Sequence, residues 1–284
     1  MSASDNEAVA GRAATTSSWL RYGDRDTMPN SVSGSLDVNP YVGEGGAYDS
    51  VRPAYPHEAV AALIDAARSG RRVDAPGRDD ALRAADIGAG TGKMSELLAC
   101  GGLLVDAVEP SEAMRAQASP IEGVAWHDGV AEETGLPNDV YDIVVFAQSW
   151  HWMDPERAGL EAARILAPGG VLAIVWNQMA VSIPWVHRLT RIMRSGDVHR
   201  PDRPPTPGGG FAPMTLTQVA WEDRMTPEEI LTLGTTRSSY IRSSEAGRAR
   251  MQENLRWYLY EHLGYAPGEL VTIPYATLVW ISHL

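Results

Sequence analysis

The stretch Ala85-Asp86-Ile87-Gly88-Ala89-Gly90-Thr91-Gly92 decides how the chain is read. It lies where a short apolar run meets a helical pattern that begins near Lys93. Asp86 closes the strand side. The glycines then let the backbone turn sharply and bring its N–H groups close to a ligand, because no Cβ intervenes. A dinucleotide fingerprint would read G-x-G-x-x-G, with an acidic residue about twenty positions on. Here the spacing is G-x-G-x-G, and Lys93 fills the fingerprint's third glycine position. Glu109 supplies an acidic residue at the end of the next apolar run. A ribose diol needs such a carboxylate in either kind of nucleoside site, so Glu109 does not discriminate.

The wider composition sets bounds. The 284 residues, 44% hydrophobic and 21% charged, suit one large α/β domain with an appended part. A net charge of −12 argues against a nucleic-acid partner, which would need a concentrated basic face. Arg188, Arg191 and Arg194 have helical spacing and read as a solvated face. The single cysteine, Cys100, excludes a disulfide framework within one chain, and no metal-ligand spacing exists. It reads as a small buried thiol in the helix after the glycine loop. No apolar run reaches transmembrane length and the N-terminus lacks a signal peptide's apolar core. The expectation is therefore a cytoplasmic protein with no membrane partner, monomeric or homodimeric.

Residues 1–46, rich in Ser, Gly, Asn and Ala, read as a mobile arm. Residues 47–180 read as the core. Within it, Tyr48-Asp49-Ser50-Val51-Arg52-Pro53-Ala54-Tyr55-Pro56 is extended and turning, and a helix with Val60, Leu63, Ile64 and Ala67 on one face follows until Gly70. From 82 to 177 strand and helix patterns alternate, which implies βαβ units and a parallel sheet. The strands are expected at 82–87, 103–108, 123–127, 140–146 and 171–176. Asp154-Pro155 caps a helix that ends before a turn at Leu166-Ala167-Pro168-Gly169-Gly170. Residues 181–284 read as a cap plus closing strands. A helix is expected over 184–195, then a structureless stretch over 196–214 that suggests a lid or disorder. A short strand over 215–221 follows, then a capping box at Thr226-Pro227-Glu228-Glu229 and a helix over 244–263. The terminal strand reads as interrupted by Pro274.

The ordered set of motifs over residues 48–177 resembles the class I S-adenosylmethionine (SAM) dependent methyltransferases. The type 11 group is nearest in flavour, with trans-aconitate and quinone-biosynthesis methyltransferases near it. The resemblance implies a doubly wound, mostly parallel seven-stranded sheet whose last strand is antiparallel, with helices on both faces and a C-terminal cap. It implies SAM as cofactor, held by Asp86, Gly88, Ala89 and Gly90, with Glu109-Pro110 at the ribose and Met114 against adenine. Gly129, Val130 and Ala131 would meet the adenine edge. Relatives often carry Asp at the position of Val130, so Asp128 or backbone groups would take that contact. Tyr48 and Arg52 either close over the methionine end of SAM or cap the first helix; Gln148 either orients a polar group or holds loop backbone.

Methyl transfer from a sulfonium is an in-line displacement that needs alignment and exclusion of water more than it needs a base. His151, between Trp150 and Trp152 after the fourth strand, is the candidate base; packing between two tryptophans is the competing reading. Trp150, Trp152, Trp176, Asn177, Tyr240 and Tyr275 are candidate substrate contacts. The acidic balance and the absence of DNA-methylating motifs point to a small organic acid or secondary metabolite, methylated on oxygen. A nicotinamide-dependent oxidoreductase and a non-catalytic SAM-fold binding protein are the alternatives.

Overall fold

A computed structural model of the chain describes residues 51–71, 81–196 and 199–284. Seven strands form one sheet in the order β3-β2-β1-β4-β5-β7-β6. They are β1 Arg83–Ile87, β2 Leu104–Val108, β3 Val124–His127, β4 Tyr141–Ala147, β5 Leu166–Met179, β6 Thr215–Met225 and β7 Val271–His283. The first five pair in parallel, while β7 runs antiparallel to both β5 and β6. The strand order reverses between β1 and β4, which opens a crevice at their carboxyl ends.

The central strands β1, β4 and β5 are buried on both faces, and the period-2 alternation shows how. Ala84, Ile143, Val145, Val171, Ala173 and Val175 point to one side, where they meet helices α1 His57–Gly70 and α2 Lys93–Cys100. Ala85, Ile87, Val144, Phe146, Leu172 and Ile174 point to the other, against a core that includes Ala158, Ala162 and Ile165 of α4. Helix α3 is the single turn Glu112–Arg115, and α4 spans Pro155–Ile165. Asp154 caps α4 by accepting the Glu156 and Arg157 N–H groups.

A third cluster joins the ends of β5, β6 and β7 to helices α5 Pro184–Met193, α6 Pro227–Thr235, α7 Ser238–Ile241 and α8 Glu245–Arg256. Thr226 and Glu229 form the expected capping box at α6. The last long helix loosens into a π-helical segment at Trp257–His262 instead of staying α-helical.

Several boundaries differ from the sequence reading. The expected turn at Leu166–Gly170 belongs to β5, joined to β4 through an irregular register beside Tyr141. Strand β6 continues to Met225, because β7 pairs with it throughout. Pro274 does not interrupt β7. Its missing N–H falls on the β5 side, where β5 pairing has ended and only the Pro274 carbonyl is used, by the Ala180 N–H. Residues 199–214 lack helix and strand yet are packed. The Gly208 N–H bonds the Pro155 carbonyl, and a Cβ on Gly159 would meet the Gly208 backbone at 2.5 Å. Phe211 and Met214 rest on the second core cluster. Cys100 is exposed at the end of α2, not buried.

Candidate active site

A cavity of about 330 Å³ lies at the switch point. One wall is the glycine loop. Gly88, Gly90 and Gly92 have φ of 69°, 62° and 92°, a region that L side chains rarely adopt. The loop is pinned by two bonds, from the Gly88 and Ala89 N–H groups to the Val108 carbonyl at 2.8 and 3.1 Å. Gly88 also faces a close neighbour: a Cβ there would sit 2.6 Å from Ser149 Cβ. Ser149 donates its hydroxyl to the Ile87 carbonyl at 2.7 Å, so the segment after β4 is drawn onto the loop.

Glu109 stands at the end of β2, 5% exposed. Oε2 accepts the Gly90 N–H and Oε1 the Ser111 N–H, each at 2.9 Å. Two fixed backbone donors orient the carboxylate while its remaining lone pairs stay available to a diol. Beneath the loop, Asp86 is fully buried and accepts the Ser95 hydroxyl at 2.6 Å through Oδ2, while Oδ1 has no partner. Burial, with the Glu109 charge as a lesser cause, raises its pKa to about 6.

The structure brings together Arg52, Gly88, Ala89, Gly90, Glu109, Pro110, Met114, Gly129, Val130, Ala131, Gln148, Trp152 and Asn177 around this cavity. Gln148 adopts φ 59° and bonds the Asn177 carbonyl. Asn177 is more a strut than a free contact. Its Oδ1 accepts from Trp221 and Thr277, and its Nδ2 donates to the Ala54 carbonyl.

Other expected residues stand off the wall. Asp128 points to Arg115 Nη1 at 3.2 Å, with its side chain 74% exposed. Trp150 is buried edge-on to Phe146. Trp176 stacks on His199 at 3.9 Å, Tyr240 lies under Arg248, and Tyr275 stacks on Trp221. His151 sits in a short 3₁₀ turn, Trp150–Trp152, which aims Trp152 into the cavity and leaves His151 beside it. The His151 ring is surface-accessible but crowded by neighbouring groups. That crowding, and secondarily the Arg52 charge, pulls its pKa down from the ordinary histidine value. Tyr48 lies outside the described residues.

Sequence reading missed Tyr55, Lys93, Met153, Arg237 and Arg242 in the lining of the same cavity. Tyr55 was inside a quoted motif. Arg237 and Arg242 flank α7, more than eighty residues beyond β4, and carry no local signal.

Comparisons with known proteins bear on this architecture. A family profile described as a methyltransferase domain (Methyltransf_11) matches residues 85–174. An uncharacterised methyltransferase from Mycobacterium tuberculosis is 37% identical over 235 residues, covering 82% of this chain and 90% of its own. The chain belongs to the class I SAM-dependent methyltransferases. This methyltransferase is also 25% identical over 231 residues to an uncharacterised methyltransferase-like protein of Schizosaccharomyces pombe, covering 78% of this chain and 86% of the other. A solved structure titled as a type II methyltransferase from Anaeromyxobacter dehalogenans superposes with a TM-score of 0.60 at 25% identity, covering 82% of this chain and 97% of that one. Membership removes the nicotinamide-oxidoreductase reading.

The residues present fit SAM. A diol acceptor, an apolar wall at Met114 and Val130, a loop with room only for glycine at 88, and guanidinium groups for a carboxylate all face one hollow. Among the described residues, no group of three or more His, Cys, Asp or Glu is placed to hold a metal ion. No described helix is long and apolar enough to cross a membrane.

Proposed function

We propose that this methyltransferase moves a methyl group from SAM to an oxygen of a small organic acid or related metabolite. The observation that carries the reading is the meeting of Gly88, Gly90 and Glu109 around one cavity, with side chains from the later helices on the opposite wall. When bound, SAM supplies a methyl carbon whose bond to sulfur breaks, leaving its electron pair on sulfur, as an acceptor oxygen forms the new bond.

The protein's part is orientation. Glu109 and the loop hold the adenosyl half, while Arg52 suits the methionine carboxylate. Arg52 donates to the Thr236 carbonyl at 2.6 Å, which ties the segment before α1 to the helical insertion and closes the cavity on that side. Trp152 and Met153 add apolar cover against water. Alignment of this kind accounts for roughly 7–11 kcal/mol in well-oriented reactions. A carboxylate acceptor carries no proton to remove, so the reading does not require a base on the cavity wall.

Calorimetry with SAM and S-adenosylhomocysteine (SAH), followed by tritiated-methyl transfer to a panel of acids and phenols, tests the proposal. Binding of both nucleosides and label in an ester are expected. No binding by folded protein defeats it, and binding without transfer to any acceptor or cell extract favours a non-catalytic role.

A further inference from the structure

The helical insertion places a charge in the cavity that no group among the described residues pairs with. Arg237 precedes α7 at its N-cap position without a side-chain cap bond and lines the hollow, and it is 8% exposed. Its Nε is buried with no hydrogen-bond partner, and its guanidinium makes no hydrogen bond or ion pair among the described residues. The two carboxylates on the wall are engaged elsewhere. Glu109 holds the Gly90 and Ser111 N–H groups, and Glu132 accepts the Asp154 N–H at 2.8 Å. A buried, unpaired guanidinium is costly to fold around, so such a group is retained where a ligand anion completes it.

Its place in the chain assigns the ligand. Arg237 belongs to the insertion between β6 and β7, whereas the glycine loop and Glu109 follow β1 and β2. Arg52, which donates to the Thr236 carbonyl next to Arg237, is the guanidinium assigned above to the cofactor's carboxylate. Of the other two guanidinium groups lining the cavity, Arg242 lies 5.2 Å over the Trp152 ring, and Arg237 is left surplus to the cofactor. We propose that Arg237 binds a carboxylate of the methyl acceptor, making it the residue that selects acidic substrates. The inference rests on the methyltransferase reading above and adds a substrate class and a residue to it. A planar fork of N–H donors matches a carboxylate in a way that a neutral hydroxyl or amide cannot.

The test uses the full chain saturated with SAH. Succinate, citrate, benzoate and cinnamate, their neutral amides, and inorganic phosphate are titrated to millimolar levels, read by calorimetry and by tryptophan fluorescence from Trp152. At least one carboxylate should bind, and its amide should bind at least tenfold more weakly. In Arg237→Gln that carboxylate affinity should fall at least about 30-fold, the loss expected when one partner of a desolvated charge pair is removed. SAH affinity should stay within about threefold, since orientation of the adenosyl half is unchanged. Arg237→Lys should recover part of the carboxylate affinity. Ligand-free Arg237→Met should melt at or above the wild-type temperature, because an unpaired buried charge has been removed.

The inference is overturned if no carboxylate binds the SAH complex, or if phosphate binds and carboxylates do not. It also falls if SAH affinity drops in step with carboxylate affinity, which would make Arg237 a cofactor contact. A clear fall in the melting temperature of Arg237→Met would make the guanidinium a structural group instead. Failure of wild-type protein to bind SAH at all would be a different result, striking the methyltransferase reading first.

Discussion

Glu109→Gln is the substitution that presses hardest on the site. The carboxylate is 5% exposed and accepts one backbone N–H on each oxygen. A nucleoside diol would donate to the lone pairs that remain. Hydrogen bonds to a charged group contribute roughly 1.5–3 kcal/mol each. Glutamine keeps one neutral acceptor and turns the other oxygen into a donor, so about 2–4 kcal/mol of SAH binding should be lost. That corresponds to about a 30- to 1,000-fold rise in Kd. The new NH₂ must also face a backbone N–H, either of Gly90 or of Ser111, and a donor opposed by a donor costs about 1–3 kcal/mol of stability. Binding must therefore be measured on protein shown to be folded by its thermal melt. Calorimetry with SAH and with its 2′,3′-dideoxy analogue separates the two effects. Wild type should lose affinity for the analogue, whereas Glu109→Gln should bind SAH and analogue almost alike, since the pair that couples them is already broken. If folded Glu109→Gln binds SAH within threefold of wild type, or if the analogue is penalised equally in both proteins, Glu109 does not hold the ribose.

Three further outcomes are expected. Asp86 titrates near pH 6 in the folded chain against 3.8 unfolded, so the native state binds the extra proton and stability falls as pH rises between those values. Asp86→Asn should then gain up to about 3 kcal/mol above pH 6.5 and nothing below pH 3.8, checked by denaturant melts across pH. Gly88→Ala combines a positive φ with a Cβ 2.6 Å from Ser149 Cβ and should cost about 2–4 kcal/mol, whereas Gly90→Ala, whose Cβ meets only Met114 Cε at 3.7 Å, should cost about 1–2 kcal/mol. Melts of the two variants that fail to rank in this order would refute the account of the loop. The wild-type kcat should show no His151 titration from pH 6 to 8, because crowding and the Arg52 charge keep the imidazole neutral there, and His151→Gln should lower kcat by less than about tenfold. A base would cost 10² or more.

Much of the sheet was legible because β1 and β4 are short apolar runs buried on both faces, and the motif at Asp86–Gly92 fixes where the first of them ends. Strand limits were less so. Pro168-Gly169-Gly170 reads as a turn, yet it lies within β5 as an irregular stretch between the Tyr141–Leu166 and Ile143–Val171 pairs with β4. The 196–214 stretch reads as loose because its composition lacks a period, while the packing of residues 199–214 comes in part from glycines in two separate segments fitting against each other.

The site divides the same way. Local sequence determined the glycine loop, the carboxylate after β2 and the aromatic segment after β4, because each is a short-range pattern with its own backbone geometry. Only the tertiary structure decided that Trp152 and not His151 faces the cavity, since neighbouring residues of a 3₁₀ turn point about 120° apart. It alone carried Arg237 to that cavity. A side chain from an insertion far along the chain leaves no periodic mark in sequence, and its burial without a partner exists only once the sheet has brought the two ends of the site together.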